Sequence, residues 1–452
     1  MTSRFGARSA RPRVRCALAS ALLLAPAVTS AFDAVQWGQL EIKPSFKTIL
    51  ALQYGEGINY GRGAIDSPGE TERSTAYLVI KPKIDLALPL ADYAVLGKSA
   101  LYGALSVVAA TTQLDGEISG QVARAGDWAV STDHAYLGWR NELIDLSVGG
   151  QEFSVGDGFI IGDGNYNKGG ENGQYWSGAF LAWRNSAILK VNTKPVRADA
   201  FWLRTDTDFK DARVAGINLE TTTADTFGTL GAMYAEVLQG GQFNYDGMKV
   251  WNVRGAGIKV PGIPALKLYG EWVLERGRDI QGGGAPNDAY AWYAEGEFTV
   301  PGLPWLTHLH YRYSWMSGDK PGTRHNEEYR GLFYTIFRRD WDTWYQGEIA
   351  GEYHLYNENQ ITQMIKLKTF PVPQWALSFY YYHHQLEQPH YFAVPLTARN
   401  WADELNFGVE HFLGQRFYGY AGLAWSTPNA AARQVFGDQN FWVIQTFLSY
   451  TF

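Results

Sequence analysis

Hydrophobicity alternates with a period of two along almost the whole chain from Leu40 onward, and that rhythm leaves few architectures open. In "LEIKPSFKTILALQY", Leu40, Ile42, Phe46, Leu50, Leu52 and Tyr54 share one side, opposite Lys43, Ser45, Lys47 and Gln53. "YLVIKPKIDLAL" sets Leu78, Ile80, Ile84, Leu86 and Leu88 against Lys81, Lys83 and Asp85. "WLTHLHYRYSWM" sets Trp305, Leu309, Tyr311, Tyr313 and Trp315 against His308, His310, Arg312 and Ser314. "QITQMIKLKTF" opposes Ile361, Ile365 and Leu367 to Lys366 and Lys368, and "ELNFGVEHFL" opposes Leu405, Phe407 and Val409 to Glu404, Asn406 and Glu410. The chain closes on "NFWVIQTFLSYTF", with Trp442, Ile444, Leu448, Tyr450 and Phe452 on one face. After Ala31 no apolar run reaches the ~20 residues that a membrane-spanning helix needs. Aromatic residues nevertheless make up 15% of the chain. Such a chain is expected to cross a membrane as strands, each showing lipid every second residue.

The connectors support the same reading. "PGIP" (261–264), "PGLP" (301–304), "PVPQ" (371–374), "TKP" (193–195) and "GQR" (414–416) are tight turns. Longer polar stretches lie between them, at 55–73, 113–131, 152–177, 276–289, 317–358, 386–401 and 427–439. Short turns at one rim and long loops at the other predict an all-β fold. This is a transmembrane antiparallel β-barrel of about 18 strands, with short periplasmic turns and long extracellular loops. The stretch 344–355 also alternates; joined to the wall it would raise the count to about 20. It is assigned here to the long loop 317–358, a candidate for folding inward. The last strand must close on the first, because a barrel tolerates no free edge in lipid.

The start of the chain narrows the compartment. Arg4, Arg8, Arg11, Arg13 and Arg15 precede "CALASALLLAPAVTSA", whose Thr29-Ser30-Ala31 has the small-x-small form of a cleavage site. Residues 1–31 read as a cleaved signal peptide and 32–452 as the barrel. The single cysteine, Cys16, falls in the leader, so the mature chain has no thiol, disulfide or cysteine metal site. Loss of those arginines makes the mature chain more acidic than the formal net charge of −6, which argues against nucleic-acid binding.

Inward positions carry the chemistry expected of a lumen. The basic candidates are Lys43, Lys47, Lys81, Lys83, Arg140, Arg184, Lys190, Arg197, Arg312, Lys366 and Lys368. The acidic ones include Asp85, Glu271, Glu295, Glu297, Glu404 and Glu410. Separate basic and acidic walls would set a transverse field; local ion pairing, as of the lysines with Asp85, would cancel much of it. His308 and His310 are expected to be polar wall, since no third metal ligand is evident. Asp163, Asn165 and Asn167 have calcium-loop spacing, but Gln174 stands where the bidentate Glu belongs, so no metal is assigned. Most Trp and Tyr are assigned to interface girdles; Tyr380 and Tyr382 face inward and could stack sugars. No Gly-x-Ser-x-Gly or similar catalytic arrangement occurs, so no catalytic residue, enzyme activity or cofactor is expected.

Three stretches add a resemblance. "LSVGGQEFSVGDGFIIGDG" (146–164) with "FLAWRN" (180–185), "YRYSWMSGDK" (311–320), and "YRGLFYTIF" (329–337) with "NENQITQMIKLKTFP" (357–371) resemble the alginate-export family of outer-membrane proteins. The resemblance implies passive movement of an anionic saccharide or polysaccharide through a basic lumen, in a monomeric barrel among outer-membrane lipids. Gly150 departs from it, standing where many relatives carry arginine. The alternative is a general or nutrient porin taking up small polar solutes. In known barrels a terminal aromatic resembles the signal read by the barrel-assembly machinery, a role that would fall to Phe452. N-terminal sequencing of protein extracted from outer membranes is expected to begin at Phe32; a start at Met1 would refute cleavage.

Overall fold

The computed structural model describes residues 33–90, 97–121, 123–162, 164, 178–205, 211–241, 245–277, 285–334 and 346–452. The signal segment, Asp163, Asn165, Asn167 and the Arg338–Asp342 stretch lie outside the described residues.

The wall is built from β1 (Leu40–Glu56), β2 (Glu72–Pro89), β3 (Ala100–Leu114), β4 (Trp128–Arg140), β5 (Ile144–Gln151) and β6 (Trp183–Asn192). It continues through β7 (Val196–Arg204), β8 (Arg213–Thr221), β9 (Thr229–Gln239), β10 (Lys249–Val260), β11 (Ile263–Gly277) and β12 (Asn287–Thr299). It ends with β13 (Leu306–Met316), β14 (Gln360–Val372), β15 (Trp375–Leu386), β16 (Asn400–Leu413), β17 (Phe417–Pro428) and β18 (Phe441–Thr451). Each strand pairs antiparallel with its sequence neighbour, and β18 returns to β1 in a ladder from Lys47↔Thr451 to Glu56↔Trp442. The result is a closed 18-strand antiparallel barrel, as the alternation predicts.

Closure is finished by small devices at the chain ends. β1 extends below β18, and a short strand, Val35–Trp37, folds back to pair with Leu40–Ile42. Phe452 N–H donates to the Phe46 carbonyl at 2.9 Å, and the two rings sit 5.7 Å apart. The polar groups of the first strand's edge therefore find partners at the rim.

The side chains sort by parity. Leu78, Leu105, Val130, Leu137, Ile217, Val253, Ile365, Phe407 and Ile444 are exposed on the outside. Their neighbours in sequence point inward, where Arg254, Glu271, Glu295, Arg312, Lys366 and Glu404 are buried. This is the inverse of a soluble core, and it follows from having hydrocarbon outside and water within. The predicted tight turns join strands at one rim, with Gly262, Gly302 and Gly414 at positive φ. The longer polar stretches named from the sequence leave the other rim, while the connection 90–99 between β2 and β3 lies on the rim of the tight turns. The 344–355 stretch joins no wall: its described part contains a single π-helical turn, Gly351–Leu355, packed inside the barrel.

Bulges break the parity where the wall needs re-aiming. Ser106 of β3 faces both Asp133 and His134 of β4, because the register shifts between Leu105 and Val107. A second shift, between Gly149 and Gln151, lets β5 meet Trp183 of β6. Gly149 has φ +119° there, and a Cβ would come within 2.3 Å of the Ala135 carbonyl oxygen, so only glycine fits.

Leu50 sits in an outward row between Leu448 and Leu78. Leu50→Arg should destabilise the refolded barrel by about 2–4 kcal/mol, the cost of a lipid-facing cation near mid-bilayer. Gln53→Arg, on the inward face, should cost much less. Urea titration in lipid vesicles measures both; equal losses would contradict the assigned facing.

Candidate functional site

The lumen wall groups its charges in local pairs. On β2 the Lys81 ammonium is ion-paired to Asp133, and Lys83 reaches Asp85 at 2.9 Å. The β4 bulge gives Asp133 its neighbour: His134 Nδ1 lies 2.9 Å from Asp133 and 3.0 Å from Ser106 Oγ. On the other side of the ring, Nε2 lies 3.4 Å from Glu152. Asp133, His134 and Glu152 bring three ligand-type atoms within 4.8 Å of one another, with the Lys81 ammonium supplying positive charge at Asp133. Alternation could not have paired these residues, because consecutive Asp133 and His134 turn the same way only at a bulge.

Further round the wall, Arg197 bridges Asp199 at 3.0 Å and Glu220 at 2.6 Å. Arg254 donates to Glu220 and Asn218 and, at 3.0 Å, to Asn252, which in turn donates to Glu271 at 2.7 Å. Lys267 and the Tyr269 hydroxyl hold Glu297, while His310 and Arg312 lie 3.0 and 3.8 Å from Glu295. Lys368 reaches Glu410 at 2.6 Å, and Lys366 sits 5.3 Å from the Tyr380 ring centroid. Arg254 and Lys267, absent from the cations expected at inward positions, complete these networks, although the alternation of their strands carries the signal that would have found them.

Two expectations change. Local ion pairing shortens the transverse field: Lys83 and Arg197 meet an acid on their own strand, Lys267 and Arg312 meet one on the adjacent strand, and Lys81, Arg254 and Lys368 reach one two strands away. Arg184 departs from the inward row. Trp183 and Ser186 are both buried, so the shifted register leaves Arg184 and Asn185 exposed between them. The remaining cations fall into a smaller group. Among the described residues Lys43 and Lys47 have no carboxylate at ion-pairing distance, although Lys43 stands opposite Asp85 in register. Arg140 stacks 4.9 Å over Tyr102, and Lys190 stands opposite Asp145 and Asp199.

The other half of the lumen is occupied by exterior loops. Segment 153–162 runs along the inner wall: Trp183 Nε1–H donates to the Phe153 carbonyl at 2.9 Å, and the Tyr293 hydroxyl donates to Asp157 at 3.0 Å. It meets the β13–β14 loop through a parallel bridge, Ile161↔Phe333, with Phe333 N–H donating to Ile160 at 2.9 Å. Beyond it, residues 346–358 cross to other strands. Gln346 bonds Ser314 of β13, Glu348 accepts from Gln445 of β18, and Glu404 of β16 accepts from the Ile349 and Ala350 N–H groups at 3.2 and 2.7 Å.

His354 is the hub of this insertion. Its Nε2 lies 3.2 Å from Asn59 Oδ1, so Nε2–H donates, and Tyr60, Phe436 and Trp401 surround the ring. Burial, reinforced by His384, pushes its pKa down to about 3. Glu358 is shifted the other way: burial raises its carboxyl above the ordinary range, with the Arg330 contact at 2.6 Å opposing.

No family model matches the chain, and no curated protein does. The alginate-export resemblance therefore finds no support in the family comparison. Solved structures do match. OccAB4 of Acinetobacter baumannii superposes with a TM-score of 0.56 at 12% identity, over 90% of this chain and 98% of that one. OccK2 (OpdF) of Pseudomonas aeruginosa gives 0.56 at 13%, over 91% and 97%. OpdK of the same organism, an outer membrane protein also solved with vanillate, gives 0.54 at 10%, over 90% and 98%. Likeness at this identity establishes the fold: the chain is a multi-pass outer-membrane β-barrel.

Because His354 is neutral when folded and titrates near 6.5 when unfolded, the folded loop binds fewer protons below pH 6.5. Its stabilisation is present above pH 6.5 and is lost as pH falls toward 3. Hydrogen exchange at amides 349–356, corrected for intrinsic rate, should lose on the order of a hundredfold protection between about pH 7 and 4. His354→Asn should flatten that dependence; an unchanged profile would remove His354 as its source.

Proposed function

We propose that this chain is a passive outer-membrane channel for small polar solutes, with a preference for anions. The observation that carries the reading is the combination of inserted loops and lysines outside the ion pairs. Loops joined across the exterior half leave a narrowed passage, suited to small solutes rather than a polymer. Below them, Lys43 and Lys47 are in no ion pair with a described carboxylate and stand next to the ion-paired Lys81 and Lys83. A desolvated, narrowed passage makes each unpaired charge count for more than it would in open water.

The solved complex of OpdK with vanillate, a small carboxylate, lends weight to the size and charge class. Export of an acidic polysaccharide is the weaker alternative, since it requires the joined loops at Ile161 and Phe333 to part. Flux follows the solute gradient in either case. The proposal includes a monomeric barrel whose last strand, ending at Phe452, is read by the barrel-assembly machinery.

The test is the reversal potential of the refolded mature protein in a planar bilayer under a salt gradient. Anion selectivity is expected, and Lys47→Glu should lower the anion-to-cation permeability ratio by roughly twofold or more. Lys83→Ala should do less, because it changes the local charge by one unit where Lys47→Glu changes it by two. Cation selectivity of the wild-type pore would sink the anion preference.

A further inference from the structure

At the exterior mouth, loops that follow β1, β3, β13, β15 and β17 converge on a groove of ≈ 430 Å³. Its walls include Ile65, Tyr391, Phe392, Val394 and Phe436, with Arg62 at one side. Ile65, Phe392 and Val394 are 54%, 58% and 51% exposed. They belong to loops, not to outward strand positions, so lipid does not account for them. Contiguous apolar side chains around a concave space mark a binding surface.

The backbone holds one of these walls in an unfavourable conformation. Phe392 sits at the tip of the small hairpin His390–Tyr391/Val394–Pro395, with φ +47°. A bulky residue seldom adopts that region, and such strain concentrates at ligand clamps. The aromatic surface of Tyr391 is largely committed, stacked on Trp401 with centroids 4.7 Å apart and planes 28° apart. What the groove offers is therefore mostly aliphatic surface and the Phe392 ring. Arg62 supplies the charge: it donates to the Val435 carbonyl at 3.2 Å, lies 6.0 Å from the Phe436 centroid, and has no carboxylate partner among the described residues.

We propose that this groove binds an alkyl monoanion, its chain against Ile65, Phe392 and Val394 and its anionic head on Arg62. The cavity volume suits a body of medium chain length. A carboxylate or sulfonate head, each a monoanion, can present two oxygens to the guanidinium. The site is separate from the selectivity of the passage, so it is tested by binding and not by conductance.

The experiment is calorimetric titration of the mature barrel in lipid nanodiscs with octanoate, with empty nanodiscs as the blank. Saturable binding above the blank is expected, with butyrate at least roughly tenfold weaker because it lacks the buried methylenes. Arg62→Gln should weaken octanoate roughly tenfold by removing the charge. Phe392→Gly should weaken it by a similar, roughly tenfold factor while relieving the backbone, since glycine is at ease at positive φ. That variant therefore reports the lost wall and not a misfolded loop. Binding no greater than the blank, butyrate equal to octanoate, or either variant binding like the wild type would overturn the assignment.

Discussion

The structure depends first on backbone hydrogen bonding in a medium that offers none. In hydrocarbon an unpaired N–H or C=O costs several kcal/mol, so a sheet of this size is stable there only when its last strand meets its first. The β1–β18 ladder meets that demand, and the Phe452–Phe46 bond and the Val35–Trp37 strand extend it to the rim. Once closure is required, strand parity does the rest: apolar side chains take the lipid face and charged ones are left with the water inside.

That inversion has an electrostatic consequence. Long cationic side chains reach carboxylates on their own strand, on the next one or across an intervening strand, and in this barrel several pairs neutralise one another in this way. The pairs Lys368–Glu410 and Arg254–Glu220 are cross-strand solutions to the same problem, each letting a long charged side chain lie along the wall without a net field. Among the described residues Lys43, Lys47, Arg140 and Lys190 stand outside these ion pairs. Lys43 and Lys47 on β1 stand beside Lys81 and Lys83, whose ion pairs are already made, and form none with a described carboxylate.

The loops use the interior as a second core. Aromatic and aliphatic residues such as Phe159, Tyr329, Phe333 and Tyr353 are buried inside the barrel, packed on the inward faces of strands and on each other. Their polar backbone is satisfied by wall side chains, most clearly where Glu404 accepts two successive N–H groups of the inserted turn. A loop anchored this way narrows the pore without a covalent plug. Its stability is tied to buried neutral groups such as His354, whose protonation is disfavoured by burial and by His384.

Fold and facing were legible in the sequence because a period of two needs no tertiary information: Leu50 and Lys47, or Leu405 and Glu404, declare their sides by position alone. The same periodicity exposed Lys43, Lys81, Glu295 and Lys366 as inward, and the turn residues at 261–262 and 414 marked one rim. It failed wherever an inserted residue resets parity. The bulges at Asp133–His134 and near Arg184 brought buried Asp133 and His134 to one side and took one cation out of the row. Nor could it say which charges pair, since pairing depends on register between strands and on networks through residues such as Asn218 and Asn252. The exterior groove and the bridge between Ile161 and Phe333 join residues far apart in the chain, and only the closed barrel brings them within reach. Local alternation determined which side each residue faces; the closed tertiary structure decided what each one meets there.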